Sequence, residues 1–257
     1  MDKIITKVDR VSTIEEAIKL QELDVDIIGI SLSKNINFID NRDIGEDAAL
    51  EIIKALNKAK SVVEISVNNN LNQILDMIKK LEVDYFQPLG KEILPIDFRK
   101  ELYKKGVGII YSDIQVSYDD DPSWILSSFL SEEKLNSCYY QIDILGDMEN
   151  SWQFLKRDCP QYPEELQIDD INNLAQQYPL LITLDFSTDN LLQIIKSMPN
   201  IKGVSMILGD NPCRNDIHNF QYSEVLNILE KSSSLCRMRK RKKSITRRKR
   251  CYSKKRS

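Results

Sequence analysis

KIITKVDRVSTIEEAIKLQELDVDIIGIS, residues 3–31, decides the fold. Ile4, Ile5 and Thr6 form a short β-branched run, the composition of a buried strand. Ser12 or Thr13 can cap a helix whose first turn carries Glu15 and Glu16. Ala17, Ile18 and Leu20 supply part of that helix's apolar face. Asp26-Ile27-Ile28-Gly29-Ile30 then reads as a second buried strand. Strand, helix and strand within so short a span predict a right-handed crossover between parallel strands.

The same unit recurs to the end of the ordinary sequence. Residues 46–59 carry Ala49, Leu50, Ile53 and Leu56 at helical spacing, and 61–67 read as a third strand. Asn68 to Asn70 can cap a helix over 71–81, followed by a strand at 83–87. A helix starting near Pro95 leads to a fifth strand at 108–112. Residues 124–130 suggest a short helix, and 139–145 a sixth strand. Residues 146–167, with Pro160 and Pro163, read as a loop with little regular structure. Helix 168–177, strand 179–186, helix 188–198, strand 201–208 and helix 222–231 complete the pattern. Eight strands alternating with helices predict an α/β fold closed as a (β/α)8 barrel rather than an open sheet. No Gly-x-Gly-x-x-Gly turn follows the first strand, which argues against a dinucleotide site. Chemistry in such a barrel belongs at the C-terminal strand ends: Asp9, Ser31 to Asn37, Asn68, Gln87 to Gly90, Ser112, Asp113, Asp143, Asp185 and Gly209.

The length of 257 residues suits one barrel domain, expected over 1–235. No stretch reaches the ~20 apolar residues of a membrane span, and MDKIITK lacks a signal-peptide core, so a cytoplasmic location is expected. Cys138, Cys159, Cys213, Cys236 and Cys251 fit no zinc spacing and read as free thiols. His218 is the one histidine; it excludes a multi-histidine metal site and reads as a surface residue. Neither a metal nor a cofactor is expected.

The strand ends carry a resemblance. Lys7-Val8-Asp9-Arg10 leads to Ser12 and Glu15-Glu16-Ala17; Asp24-Val25-Asp26-Ile27-Ile28-Gly29-Ile30 follows. Ser66-Val67-Asn68, Phe86-Gln87-Pro88-Leu89-Gly90 and Asp143 complete the set. In these segments the chain resembles the phosphoribosylanthranilate isomerases of tryptophan biosynthesis, over roughly residues 3–231. The resemblance implies a TIM barrel and an Amadori rearrangement, in which an acid protonates the ribose ring oxygen while a base removes the C2′ proton. It places Asp143 as the acid. The family's basic cysteine is replaced by Asp9, a carboxylate that could serve as base if the two pKa values differ. Lys7, Gln87 and Gly209 fall at substrate-binding positions.

The phosphate cradle departs from the family's pattern. Its glycine-rich turns read Gly146-Asp147-Met148-Glu149 and Asp185-Phe186, and Gly209 is followed by Asp210. At ~4 Å a carboxylate repels each phosphate charge by ~1 kcal/mol even in bulk water. The family's Ser-Pro-Arg loop reads Asn35-Ile36-Asn37, and its histidine after the fourth strand is Leu89. One expectation is therefore a barrel that has lost the isomerase reaction, a pseudoenzyme binding a small molecule or partner at its mouth. The alternative is an active isomerase with Asp143 as acid and Asp9 as base.

Residues 236–257 hold 13 Lys and Arg and no acid, while 1–235 carry a net charge of -16. This basic segment is expected to be a disordered tail. It reads as an arm for nucleic acid, as a product of a frame change past Ser234, or as a counter-charge to the acidic body. Nucleic acid binding would come only through it. Trp124, Trp152 and Cys138 read as packing residues, and Asp119-Asp120-Asp121 as a solvated acidic loop.

Overall fold

The computed structural model describes residues 3–33, 42–67, 70–90, 93–129, 136–157, 165–209, 212 and 216–232. Asn35 to Asn37, Asn68, Asp210, the basic segment 236–257 and every cysteine but Cys138 lie outside them. The element order is β1 (Ile5–Asp9), α1 (Ile14–Glu22), β2 (Ile27–Ser31), α2 (Glu46–Ala55), β3 (Lys60–Ser66), α3 (Leu71–Leu81) and β4 (Tyr85–Leu89). There follow α4 (Ile96–Lys104), β5 (Gly108–Val116), β6 (Ser137–Ile144), α5 (Ser151–Leu155), α6 (Ile168–Gln177), β7 (Leu180–Thr183), α7 (Leu191–Ser197) and β8 (Gly203–Ile207). Residues 222–232 are also helical. The strands pair in sequence order, all parallel, and β8 returns to β1 to close the ring.

Local signals explain most boundaries. Thr13 caps α1 by accepting from the Glu16 amide at 3.1 Å, and Asn70 caps α3 by accepting from Gln73 at 3.3 Å. Ala17 and Leu20 are buried as expected, but Ile18 stays exposed. The expected loop after β6 contains a short helix, α5, because Ser151 and Trp152 are both tied to Asp185. The expected helix at 124–130 is a run of turns ending in a 3₁₀ turn at Ser127–Phe129.

Three packing expectations are corrected. Trp124 is 74% exposed: it sits in a tight turn that bonds to Asp121, and no core element faces it. Cys138 is only partly buried, on a β6 position where its Sγ lies beside Gly108 and the Tyr85 ring. His218 is buried rather than on the surface. The bridge between Leu208 and Phe220 draws segment 216–220 across the barrel end and carries the histidine inward.

The main core lies between the strands and the helix ring and includes Val8, Ile28, Val63, Phe86, Ile142 and Ile182. A second, small cluster (Ile27, Val62, Ile110 and Leu181 with Ile5, Tyr85 and Tyr139) fills the barrel's interior floor. Ring closure depends on Gly203, which pairs with Ile5. A Cβ there would stand 2.3 Å from the Ile5 carbonyl oxygen and 2.8 Å from the Leu181 Cδ2. Gly203→Ala is expected to lower the unfolding free energy by about 1–3 kcal/mol, seen as a lower urea midpoint. An unchanged midpoint would show that β1 and β8 can separate freely.

Candidate functional site

Strand alternation builds the site. In β1 the period of two puts Ile5, Lys7 and Asp9 on one face and Thr6 and Val8 on the other. Ile5 belongs to the interior floor, so Lys7 and Asp9 rise above it inside the barrel. The same alternation stacks Glu64 above Val62, Gln87 above Tyr85, Gln141 above Tyr139 and Thr183 above Leu181. A polar layer thus lies on an apolar floor, with the strand ends above it.

Asp9 is held on both oxygens. Lys7 Nζ is ion-paired with Oδ1, and both side chains are inaccessible, at 0% and 1% exposure. Gln141 Nε2 donates to Oδ2 at 3.0 Å and Ser205 Oγ donates to it at 3.2 Å. Lys7 also donates to Gln141 Oε1 at 2.7 Å, which fixes the orientation of that amide. Gly29 leaves room for the carboxylate: a Cβ at that position would meet Asp9 Oδ1 at 2.1 Å. Glu64 is the remaining acid. Burial first, then the adjacent Asp9 carboxylate, push its carboxyl well above the usual range, against the pull of Lys7 and Arg10. A neutral Glu64 bonds to Asp9 and accepts from Gln87 Nε2 at 3.3 Å. One buried cation therefore faces one buried anion in this layer, and the second carboxyl, Glu64, holds its proton more tightly than usual.

The strand ends are clasped by a second set of bonds. Asp143 at the end of β6 meets His218 Nδ1 at 2.6 Å through Oδ1 and accepts from the His218 amide at 3.0 Å through Oδ2. His218 Nε2 lies 3.1 Å from Ser151 Oγ, and that hydroxyl donates to Asp185 Oδ1 at 2.6 Å. Asp143, His218 and Ser151 have the residue types of a nucleophilic triad. The arrangement lacks the chemistry: Ser151 is wholly buried and its single proton is committed to Asp185. The chain of bonds ties together the segments after β6, β7 and β8.

Backbone donors at this rim are likewise engaged. The Gly209 amide donates to the Phe220 carbonyl at 3.1 Å, and the Phe220 amide returns to Ile207 at 2.9 Å. After β7, the Ser187 amide donates to Asn190 Oδ1 at 2.7 Å and the Asn190 amide to Ser187 Oγ at 3.2 Å. Within β5 a register shift and a left-handed Asp113 (φ 58°) aim that carboxylate at the Gly90 amide, which donates to it at 2.6 Å.

The space left over is small. A cavity of about 50 Å³ at the mouth is lined by Asp9, Glu64, Gln87, Leu89, Asp113 and Asp143, among others. That holds a water or two, whereas sites for drug-sized ligands run to ~300–1,000 Å³. Asp9, Asp143 and Gln87 are thus brought to one cavity. Lys7 lies below it, ion-paired, and Gly209 stands apart, its amide taken by Phe220. Among the described residues no cluster of three or more His, Cys, Asp or Glu is placed to hold a metal ion, and no helix is long and apolar enough to cross a membrane.

Glu64, Gln141, Ser151, Thr183, Ser205 and His218 were not singled out from the sequence as site residues. A signal did exist for four of them: a polar residue at alternate positions of an otherwise apolar strand, as in SVVEISV and YYQIDIL. Nothing comparable marks Ser151 or His218, which meet only through loop packing.

No protein-family model matches the sequence, and no curated protein matches it. Solved structures do match its fold. The N-(5′-phosphoribosyl)anthranilate isomerase from Pyrococcus furiosus is 16% identical, with a TM-score of 0.61, covering 90% of this chain and all of that one. The phosphoribosylanthranilate isomerase from Thermotoga maritima is 14% identical at a TM-score of 0.61, with the same coverage. The phospho-2-dehydro-3-deoxyheptonate aldolase from Thermotoga maritima is 11% identical at 0.54, covering 92% of this chain and 69% of that one. At these identities the likeness is one of fold: a parallel eight-stranded TIM barrel.

Proposed function

We propose that this chain is a divergent phosphoribosylanthranilate isomerase-like barrel that has lost the Amadori rearrangement and works as a binding protein. The observation that carries the reading is the state of Asp9. A general base must present a lone pair to the substrate's proton. Asp9 instead has both oxygens bonded, to Lys7 on one side and to Gln141 and Ser205 on the other. Abstracting a proton would require breaking a buried ion pair. Asp143, at the acid's position, has both oxygens on His218. The mouth above them has no room for a sugar phosphate bearing an aromatic amine. The amide of Gly209, where the family would bind an anion, is spent inside the protein.

Phosphoribosylanthranilate fluorescence tests the proposal directly. Purified full-length protein is expected to leave its decay at the spontaneous rate, and Asp143→Asn is expected to behave identically. Turnover above background that disappears in Asp143→Asn would overturn the reading and establish an active isomerase.

A further inference from the structure

The mouth cavity carries a charge that its own bonds do not balance. Its lining includes the carboxyl groups of Asp9, Glu64 and Asp143 and, among the described lining residues, no Lys, Arg or His. Asp9 is balanced by Lys7 from the layer below, and Asp143 has both oxygens on His218. Glu64 is the exception. It is 2% exposed, it meets Gln87 and Asp9, and no basic side chain among the described residues bonds to it. Lys7 and Arg10 lie close enough to pull on it, but Lys7 bonds to Asp9 and Gln141, and Arg10 to Asp43 and the Leu208 carbonyl. A buried carboxylate with no cation of its own is costly, so a proton takes the cation's place.

Two further groups at the same cavity lack a partner. Thr183 is 0% exposed and faces inward by strand alternation, and its hydroxyl makes no hydrogen bond. Gln87 is 3% exposed and donates to Glu64 through Nε2, which leaves Oε1 unbonded. Glu64 spends its own proton on Asp9, so the amide is the donor in that bond. Buried polar atoms nearly always have partners, and both of these orphans are neutral oxygens. In register, Gln87 stands beside Glu64 and Thr183 beside Asp143. A volume of about 50 Å³ admits an occupant of the size of water. A water would satisfy the two oxygens and leave Glu64 unmatched, whereas a cation satisfies the oxygens and matches the carboxylate. A divalent ion asks for more charged oxygen than this, and no cluster of three acids is placed to hold one among the described residues.

We infer that the mouth is a site for one monovalent inorganic cation, K+ or Na+, held by the Glu64 carboxylate and the side-chain oxygens of Gln87 and Thr183. Binding exchanges the ion for a proton: Glu64–COOH and M+ give Glu64–COO−·M+ and H+, and the net charge of the layer is unchanged. Ion and proton therefore compete, and rising pH favours the ion. The inference rests on the reading of the mouth as closed to a sugar phosphate, and it gives the remaining space an occupant.

The test is urea unfolding of the full-length protein at neutral pH in matched concentrations of KCl, NaCl or choline chloride, whose cation is too large for the cavity. A higher midpoint in KCl or NaCl than in choline chloride is expected, growing with concentration, and the salt with the larger shift identifies the ion. The shift should vanish in Glu64→Gln, which keeps the side chain's size and removes its charge. It should shrink near pH 4, where the proton holds the site. Thr183→Val, nearly the same in shape, should weaken the apparent ion affinity about fivefold. Equal midpoints in the three salts would show that the space holds water alone and would overturn the inference. So would a shift that survives undiminished in Glu64→Gln or near pH 4, or an ion affinity unchanged in Thr183→Val. Turnover of phosphoribosylanthranilate by the same preparation bears only on the preceding reading, so the two can fail separately.

Discussion

Lys7→Met is expected to cost about 3–5 kcal/mol of unfolding free energy, the largest effect of any single substitution in the barrel interior. Lys7 and Asp9 are both inaccessible, and the ammonium is the cation bonded to Asp9. Removing it leaves a carboxylate in a low-dielectric interior with neutral donors alone, Gln141, Ser205 and the protonated Glu64. Breaking one side of such a pair costs more than the pair contributes, because the remaining charge keeps its desolvation penalty. The double variant Lys7→Met, Asp9→Leu removes both charges and should recover most of the loss. Urea unfolding of the two single variants and the double variant measures the coupling. A loss below about 1 kcal/mol in Lys7→Met would mean that water reaches the layer and that Asp9 is not locked. That result would also reopen its use as a base.

Glu64→Gln is expected to stabilise the protein at neutral pH and to leave it unchanged near pH 4. The folded carboxyl holds its proton well above the usual value of 4.5, mainly through burial and then through Asp9. Below that usual value the folded and unfolded states are both protonated, and Glu64 contributes no penalty. As pH rises through it, the unfolded chain releases the proton while the folded one retains it. Stability then falls by about 1.4 kcal/mol per pH unit until the folded group also ionises. A glutamine amide can donate to Asp9 as the neutral acid does, yet it has nothing to release. The gap between variant and parent should therefore widen from pH 4.5 upward in paired urea titrations. An equal gap at pH 4 and pH 7 would show that Glu64 is ionised in the folded protein and that the layer carries an extra negative charge.

Both predictions concern side chains that the sequence displays openly but whose partners it hides. Lys7 and Asp9 sit two apart, so a shared strand face is legible from β1 alone. Gln141 lies 134 residues from Lys7, and only the closed ring brings its amide within 2.7 Å of that ammonium. Asp143 is likewise visible as a strand-end acid, whereas its bond to His218 depends on the Leu208–Phe220 bridge. A histidine in a polar segment reads as solvated because the carboxylate that meets it, Asp143, lies 75 residues away in the chain. Trp124 shows the opposite failure: an aromatic beside Pro122 reads as packed, and no element comes to cover it.

The chain alone determined the repeating crossover and hence the barrel, since strand and helix periods are local and parallel strands can be joined only by long right-handed connections. It also determined that carboxylates follow Gly146 and Gly209 and that Asp185 follows the seventh strand, because that is a matter of residue identity. Tertiary structure alone decided that Asp9 and Asp143 are engaged rather than poised, and that the open space lies beside the mouth and not in it. Such facts turn on hydrogen bonds between residues far apart in the chain and on volume left after packing. Neither quantity is carried by any single stretch of sequence.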